Sequence, residues 1–147
     1  MRIFTPSSLK TVSGLIDISL VSAFFVWPVG EFALNDDWAH TLSIYQFIEH
    51  GTITYLDWLA PFNYIPIIYG GLIAKIVGFS FMSLRLLNVL FGIAAVIFLY
   101  LLLRFFKQSQ TTSFLFALLL LFNPIFFNLS LTFMGVIPAL TFMLAAI

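Results

Sequence analysis

The chain has 147 residues, of which 62% are hydrophobic and 8% charged, with a mean hydropathy of +1.11. A soluble domain needs roughly 25% charged residues, so these proportions exclude one and require an integral membrane protein. Six basic and six acidic residues cancel, which excludes a basic nucleic-acid-binding surface, and zero cysteines exclude disulfides, thiolate metal sites and thiol nucleophiles.

Arg2 and Lys10 precede an apolar run from about Leu15 to Val29 that contains Asp17. Trp27-Pro28-Val29-Gly30-Glu31 offers no small-residue cleavage site, so an uncleaved first transmembrane helix is expected, roughly 13–30, running outward from a cytoplasmic N-terminus. Asp17 is expected near its inner end, within reach of headgroups or water. From Thr11 to Ala74 there is no Lys or Arg, while Glu31, Asp36, Asp37, Glu49 and Asp57 all fall inside that interval. This asymmetry puts the loop outside.

Within the loop, Asn35 or Asp36 can cap a helix running to about His50, with Gly51 ending it. Trp38, Leu42, Tyr45 and Ile48 would share an apolar face, and Asp36, His40 and Ser43 an adjoining polar one, so the helix would lie along the membrane surface. Acids in a first helical turn also stabilise the macrodipole, by about 0.3–1 kcal/mol. Capping and chemistry therefore both stand as readings of Asp36 and Asp37.

Pro61 to Gly78 is apolar but short, and Lys75 interrupts it. A crossing there would carry Arg104 and Lys107 outside, against the positive-inside rule, so a re-entrant or interfacial helix is expected. Between Arg85 and Arg104 lie eighteen uncharged residues, rising about 27 Å as a helix, close to the hydrocarbon thickness. The remaining forty residues after Lys107 carry no charge. Four spans follow: 13–30 outward, 84–104 inward, 112–129 outward and 136–147 inward. The expected fold is all-α, a polytopic helical membrane protein with interfacial helices in one large external loop over about 31–83.

Read in order, "EFALNDDWAH", "FIEHGTI", "WLAPFNYIP", "GGLIAKIVGFSFMSLRLLNVLFGIAAVIFLYLLLRFF" and "LFNPIFFNLSLTFMGVIP" resemble the N-terminal part of GT-C glycosyltransferases, in the bacterial branch related to protein O-mannosyltransferases and lipid A aminoarabinose transferases. The resemblance implies a multi-pass enzyme of the cytoplasmic membrane. Such an enzyme takes a sugar from a polyprenyl-phosphate donor and passes it to a glycan, lipid or protein acceptor on the outer side. It further implies a catalytic acidic pair at Asp36 and Asp37, with Asp36 in the first position; a positioned carboxylate can take the proton an acceptor hydroxyl or amine must lose. Arg85 matches a basic position at the head of the next helix, where it could meet the donor phosphate or anchor to lipid phosphate. Lys75 has the same two readings, and His40 joins them as a substrate-binding candidate.

Two departures stand out. Many relatives carry an Asp in the second external loop, in a pattern like "TFMTDVP", where this chain has Val136 in Thr132-Phe133-Met134-Gly135-Val136-Ile137-Pro138. Relatives are also several times longer, so the 147 residues are expected to form a single, incomplete transmembrane module rather than a whole active site. His40 and His50 with Glu49 or Asp57 fall short of a metal-ligand pattern, and no phosphate-loop or dinucleotide fingerprint occurs. No metal site or cofactor is assigned beyond the lipid-linked sugar substrate. A non-catalytic assembly partner and a small transporter subunit are the competing readings. The transporter ranks last, because the central helices lack charged positions.

Overall fold

The computed structural model describes residues 5–34, 36–53 and 64–147. Among them seven helices form in order: α1 Pro6–Val26, α2 Asp37–His50, α3 Tyr64–Val77, α4 Phe81–Phe105, α5 Gln110–Leu121, α6 Pro124–Ser130 and α7 Val136–Ala145. The fold is all-helical, as expected. α1 and α4, at 21 and 25 residues, are long and apolar enough to cross a membrane, and α5 with α6 would be a third span if the bent pair counts as one. α3 and α7, at 14 and 10 residues, rise about 21 and 15 Å, short of a roughly 30 Å hydrocarbon core.

The expected four spans become two or three among the described residues: the expected span over 136–147 is met only by the ten-residue α7, and two others are redrawn. α1 starts seven residues before the expected Ser13, because Thr5 caps it with a reciprocal Ser8 bond and Pro6 fits its first turn. It ends at Val26, since Trp27 precedes Pro28 and takes an extended ψ of 120°. The expected straight span over 112–129 is broken into α5 and α6, bent by 66°. Pro124 lacks an N–H to continue α5, and the Asn123 side chain instead caps a new helix, accepting from the Ile125 and Phe126 amides at 3.0 and 3.1 Å.

α4 is the central element, packed against α1, α3, α5, α6 and α7. Its buried face runs through Leu84, Arg85, Asn88, Val89, Gly92, Ala95, Val96 and Tyr100. Toward the Tyr100 end this face joins Leu15, Ala117, Leu121 and Ile137 in one apolar cluster; toward the Leu84 end it joins Ile44, Ile67, Ala74 and Phe133 in a second. α2 and α3 pack closely, because a Cβ at Gly70 would fall 2.5 Å from Ile44 and 2.9 Å from Phe133.

Hydrogen bonds fix which helix ends meet. At one end, Glu31 after α1 accepts from the Phe81 amide at 2.7 Å, a carboxylate at the positive end of α4. At the other, Gln110 at the start of α5 donates to Thr11 of α1 at 2.6 Å. α1 and α4 therefore run antiparallel. The segment 27–80 leaves and rejoins the bundle at the same end.

Candidate functional site

The acidic segment sits at the end where Glu31 meets α4. α2 begins at Asp37 and ends at Gly51, whose amide bonds the Phe47 carbonyl at 3.0 Å. Its rotation inverts the arrangement of a soluble protein. Trp38, Leu42 and Tyr45 are exposed, while Asp37, His40, Thr41 and Ser43 are buried against the bundle. For a helix at a membrane surface this is the stable orientation, since lipid takes the apolar face and polar groups find partners inside.

The two neighbouring carboxylates are thus put in different surroundings. Asp37 is fully buried; its Oδ1 accepts from the Leu34 amide at 3.0 Å and its Oδ2 lies 3.5 Å from Arg85 Nη2. Asp36 is exposed. It stands at the N-cap position of α2, yet its side chain makes no capping bond, which departs from the expected capping role. Asn35, the other expected cap, lies outside the described residues.

Arg85 is also fully buried. Its Nη1 donates to the Gly30 carbonyl at 3.1 Å and its Nη2 to the Phe32 carbonyl. The guanidinium lies 5.3 and 5.4 Å from the Phe32 and Phe81 ring centroids, within cation–π range of both. Gly30 makes this possible, because its φ of 133° suits only glycine and a Cβ there would meet the Phe32 ring at 2.7 Å. Arg85 therefore ties the loop after α1 and the start of α2 to the head of α4.

His40 lies one turn along α2, buried, edge-on to Phe133 with ring centroids 6.2 Å apart, and its Nδ1 has no partner among the described residues. Burial pushes its imidazole below the ordinary value of 6.5, against the opposing pull of Asp36 and Asp37. It is held as a neutral base or acceptor. Lys75 is exposed on α3, its Nζ 5.6 Å from the Phe47 ring centroid. Because Phe47 is ten residues along α2 from Asp37, about 15 Å, Lys75 belongs to the far end of that helix. His50 and Glu49 share that end and are exposed; Asp57 lies outside the described residues.

Two buried or capping residues escaped sequence reasoning. Asn88, fully buried on α4, donates to the Leu129 and Thr132 carbonyls at 2.8 and 2.5 Å and so fixes the α6–α7 connection. The signal was present: a lone amide inside an apolar span, three residues from Arg85, must find partners on the same face. Glu31 carries no local mark of its role, because its bond to α4 spans fifty residues of sequence. Phe133, three residues before Val136, is buried against His40 and Tyr69, whereas Val136 itself is exposed at the start of α7.

The family model described as dolichyl-phosphate-mannose-protein mannosyltransferase matches residues 52–147, more than half of the chain. The match covers α3 to α7, with Lys75 and Arg85, and begins after the acidic pair. No curated protein and no solved structure matches the chain. The helical membrane architecture and the match together make the chain a member of the dolichyl-phosphate-mannose-protein mannosyltransferase family.

Proposed function

We propose that the chain acts in transfer of a sugar, mannose by the family's description, from a polyprenyl-phosphate-linked donor to a protein hydroxyl at the outer face of the cytoplasmic membrane, with Asp36 as general base. The observation that carries the reading is the divergence of the two carboxylates: Asp37 is taken up by Arg85 and the Leu34 amide, while Asp36 stays exposed and uncapped on a loop fixed to α4. An exposed carboxylate on an anchored backbone can meet an incoming hydroxyl.

In the reaction the acceptor oxygen bonds to the anomeric carbon as its proton passes to Asp36. The bond from that carbon to the phosphate oxygen breaks, and the electron pair leaves with the polyprenyl phosphate. Arg85 is a positioning residue, acting through Asp37 and the Gly30 and Phe32 carbonyls. Its Nη1 and Nη2 already serve the protein, and its Nε, without a partner among the described residues, is buried, so a donor phosphate would have to displace those carbonyls to reach the guanidinium. Lys75, exposed on α3 beside Phe47, lies at the far end of α2 from Asp36 and is set aside as a ligand of the same phosphate; neutral His40, one turn from Asp36, can orient the acceptor.

A second reading, a non-catalytic assembly partner, is favoured by one observation: Val136 presents an exposed apolar side chain where many relatives have an Asp. Membranes carrying the chain are to be incubated with a polyprenyl-phosphate-linked radiolabelled mannose and a hydroxyl-bearing peptide. Transfer is expected, and Asp36→Asn should lower its rate by about 10²-fold or more. Unchanged turnover by Asp36→Asn removes the base assignment; no transfer by the wild type favours the non-catalytic reading.

A further inference from the structure

We propose that the end of the bundle opposite the acidic loop binds an anionic phospholipid in the cleft between α1 and α5. The cleft has a volume of about 590 Å³. Gln110 ties its two walls together, donating to Thr11 Oγ1 at 2.6 Å and to the Ser7 carbonyl at 3.3 Å. The opening is therefore a feature of a closed helix pair and not a gap between separate elements.

Its lining changes character with depth. Lys10, Thr11 and Gln110 stand at the mouth, level with the polar turn that follows Arg104 and Lys107; Gly14, Ile18 and Phe114 line the inner part. From Thr11 to Ile18 the helix rises about 10 Å, so the site matches a molecule charged at one end and hydrocarbon beyond. Among the described residues Lys10 is the only charged one of the lining. It is exposed, and no ion pair occupies it among the described residues. The charge sets the sign of the ligand: an anionic headgroup, which ammonium groups near a membrane surface attract.

Gly14 keeps the inner part open, since a Cβ there would meet nothing within 4 Å. The volume suits a headgroup and the adjoining part of an acyl chain, with the rest of the lipid lying outside the cleft.

The full chain, reconstituted in vesicles of equal phosphatidylglycerol and phosphatidylcholine, would be released in mild detergent and its retained lipids counted by native mass spectrometry. The wild type should retain phosphatidylglycerol in preference to phosphatidylcholine. Lys10→Gln should lower that preference about fivefold while still holding lipid. Gly14→Leu should exclude both lipids with the melting temperature unchanged, because the leucine extends into open space. Absence of headgroup preference in the wild type overturns the proposal, as does a preference that both variants keep. A dimer in which a second copy covers the cleft and no lipid is retained overturns it too.

Discussion

Asp36 and Asp37 are adjacent in the chain, yet one faces outward and the other is locked inward. Removing the inner one should therefore cost stability before it costs chemistry. Asp37→Asn leaves the buried Arg85 without its counter-charge, and losing one partner of a buried pair costs about 3–5 kcal/mol. Asp37→Leu combined with Arg85→Met should lose well under the sum of the single variants, with a coupling of about 1–3 kcal/mol. Thermal unfolding of the four proteins in detergent checks this, and strict additivity would mean that the 3.5 Å contact contributes nothing. His40 gives a pH dependence. Its folded pKa lies below the ordinary 6.5 because of burial, so between the two values the unfolded chain binds the extra proton and stability rises with pH. The contribution is complete above about 6.5 and is lost as pH falls through the folded value. Melting temperatures at pH 7.5 and pH 5.5 should differ for the wild type, and His40→Gln should narrow the gap; an unchanged gap would assign the acid sensitivity elsewhere.

At the scale of elements, periodicity and punctuation were enough for α2, from the acidic pair to Gly51, and for α4, between its two arginines. What they could not supply was rotation. Which carboxylate of the pair turns inward depends on Phe133 and α3 packing against α2, contacts as distant in sequence as His40 and Phe133 and invisible to local pattern. The break at Asn123-Pro124 was legible in principle, yet the apolar residues on both sides carry one continuous hydropathy signal across the bend. α1 shows how a shifted boundary changes chemistry. The Thr11–Gln110 bond sets Thr11 level with the polar turn, so Asp17 lies six residues deeper, about 9 Å along the axis. It is exposed on the outer side of α1. Asp17→Leu should therefore improve insertion of this segment by about 2–3 kcal/mol in a glycosylation-based insertion assay. No gain would return Asp17 to the interface.

For the whole molecule, the two ends of the bundle differ in charge as well as in contacts. Glu31, Asp36 and Asp37 lie where α1 ends and α4 begins, with Arg85 paired to Asp37 and Glu49 at the far end of α2, while Lys10, Arg104 and Lys107 lie where α4 ends and α5 begins. The segment 27–80 begins and ends at the same end of the bundle, and α3, at 14 residues, is short for a crossing. Transfer from a lipid-linked donor outside the cell by Asp36 requires the acidic end to face outward, and the positive-inside rule gives the same orientation. Single cysteines at Glu49 and Gln108, both exposed, report on the two ends when intact cells are treated with an impermeant maleimide. The account predicts labelling of Glu49→Cys in intact cells and of Gln108→Cys only after permeabilisation. Labelling of Gln108→Cys alone in intact cells would contradict it.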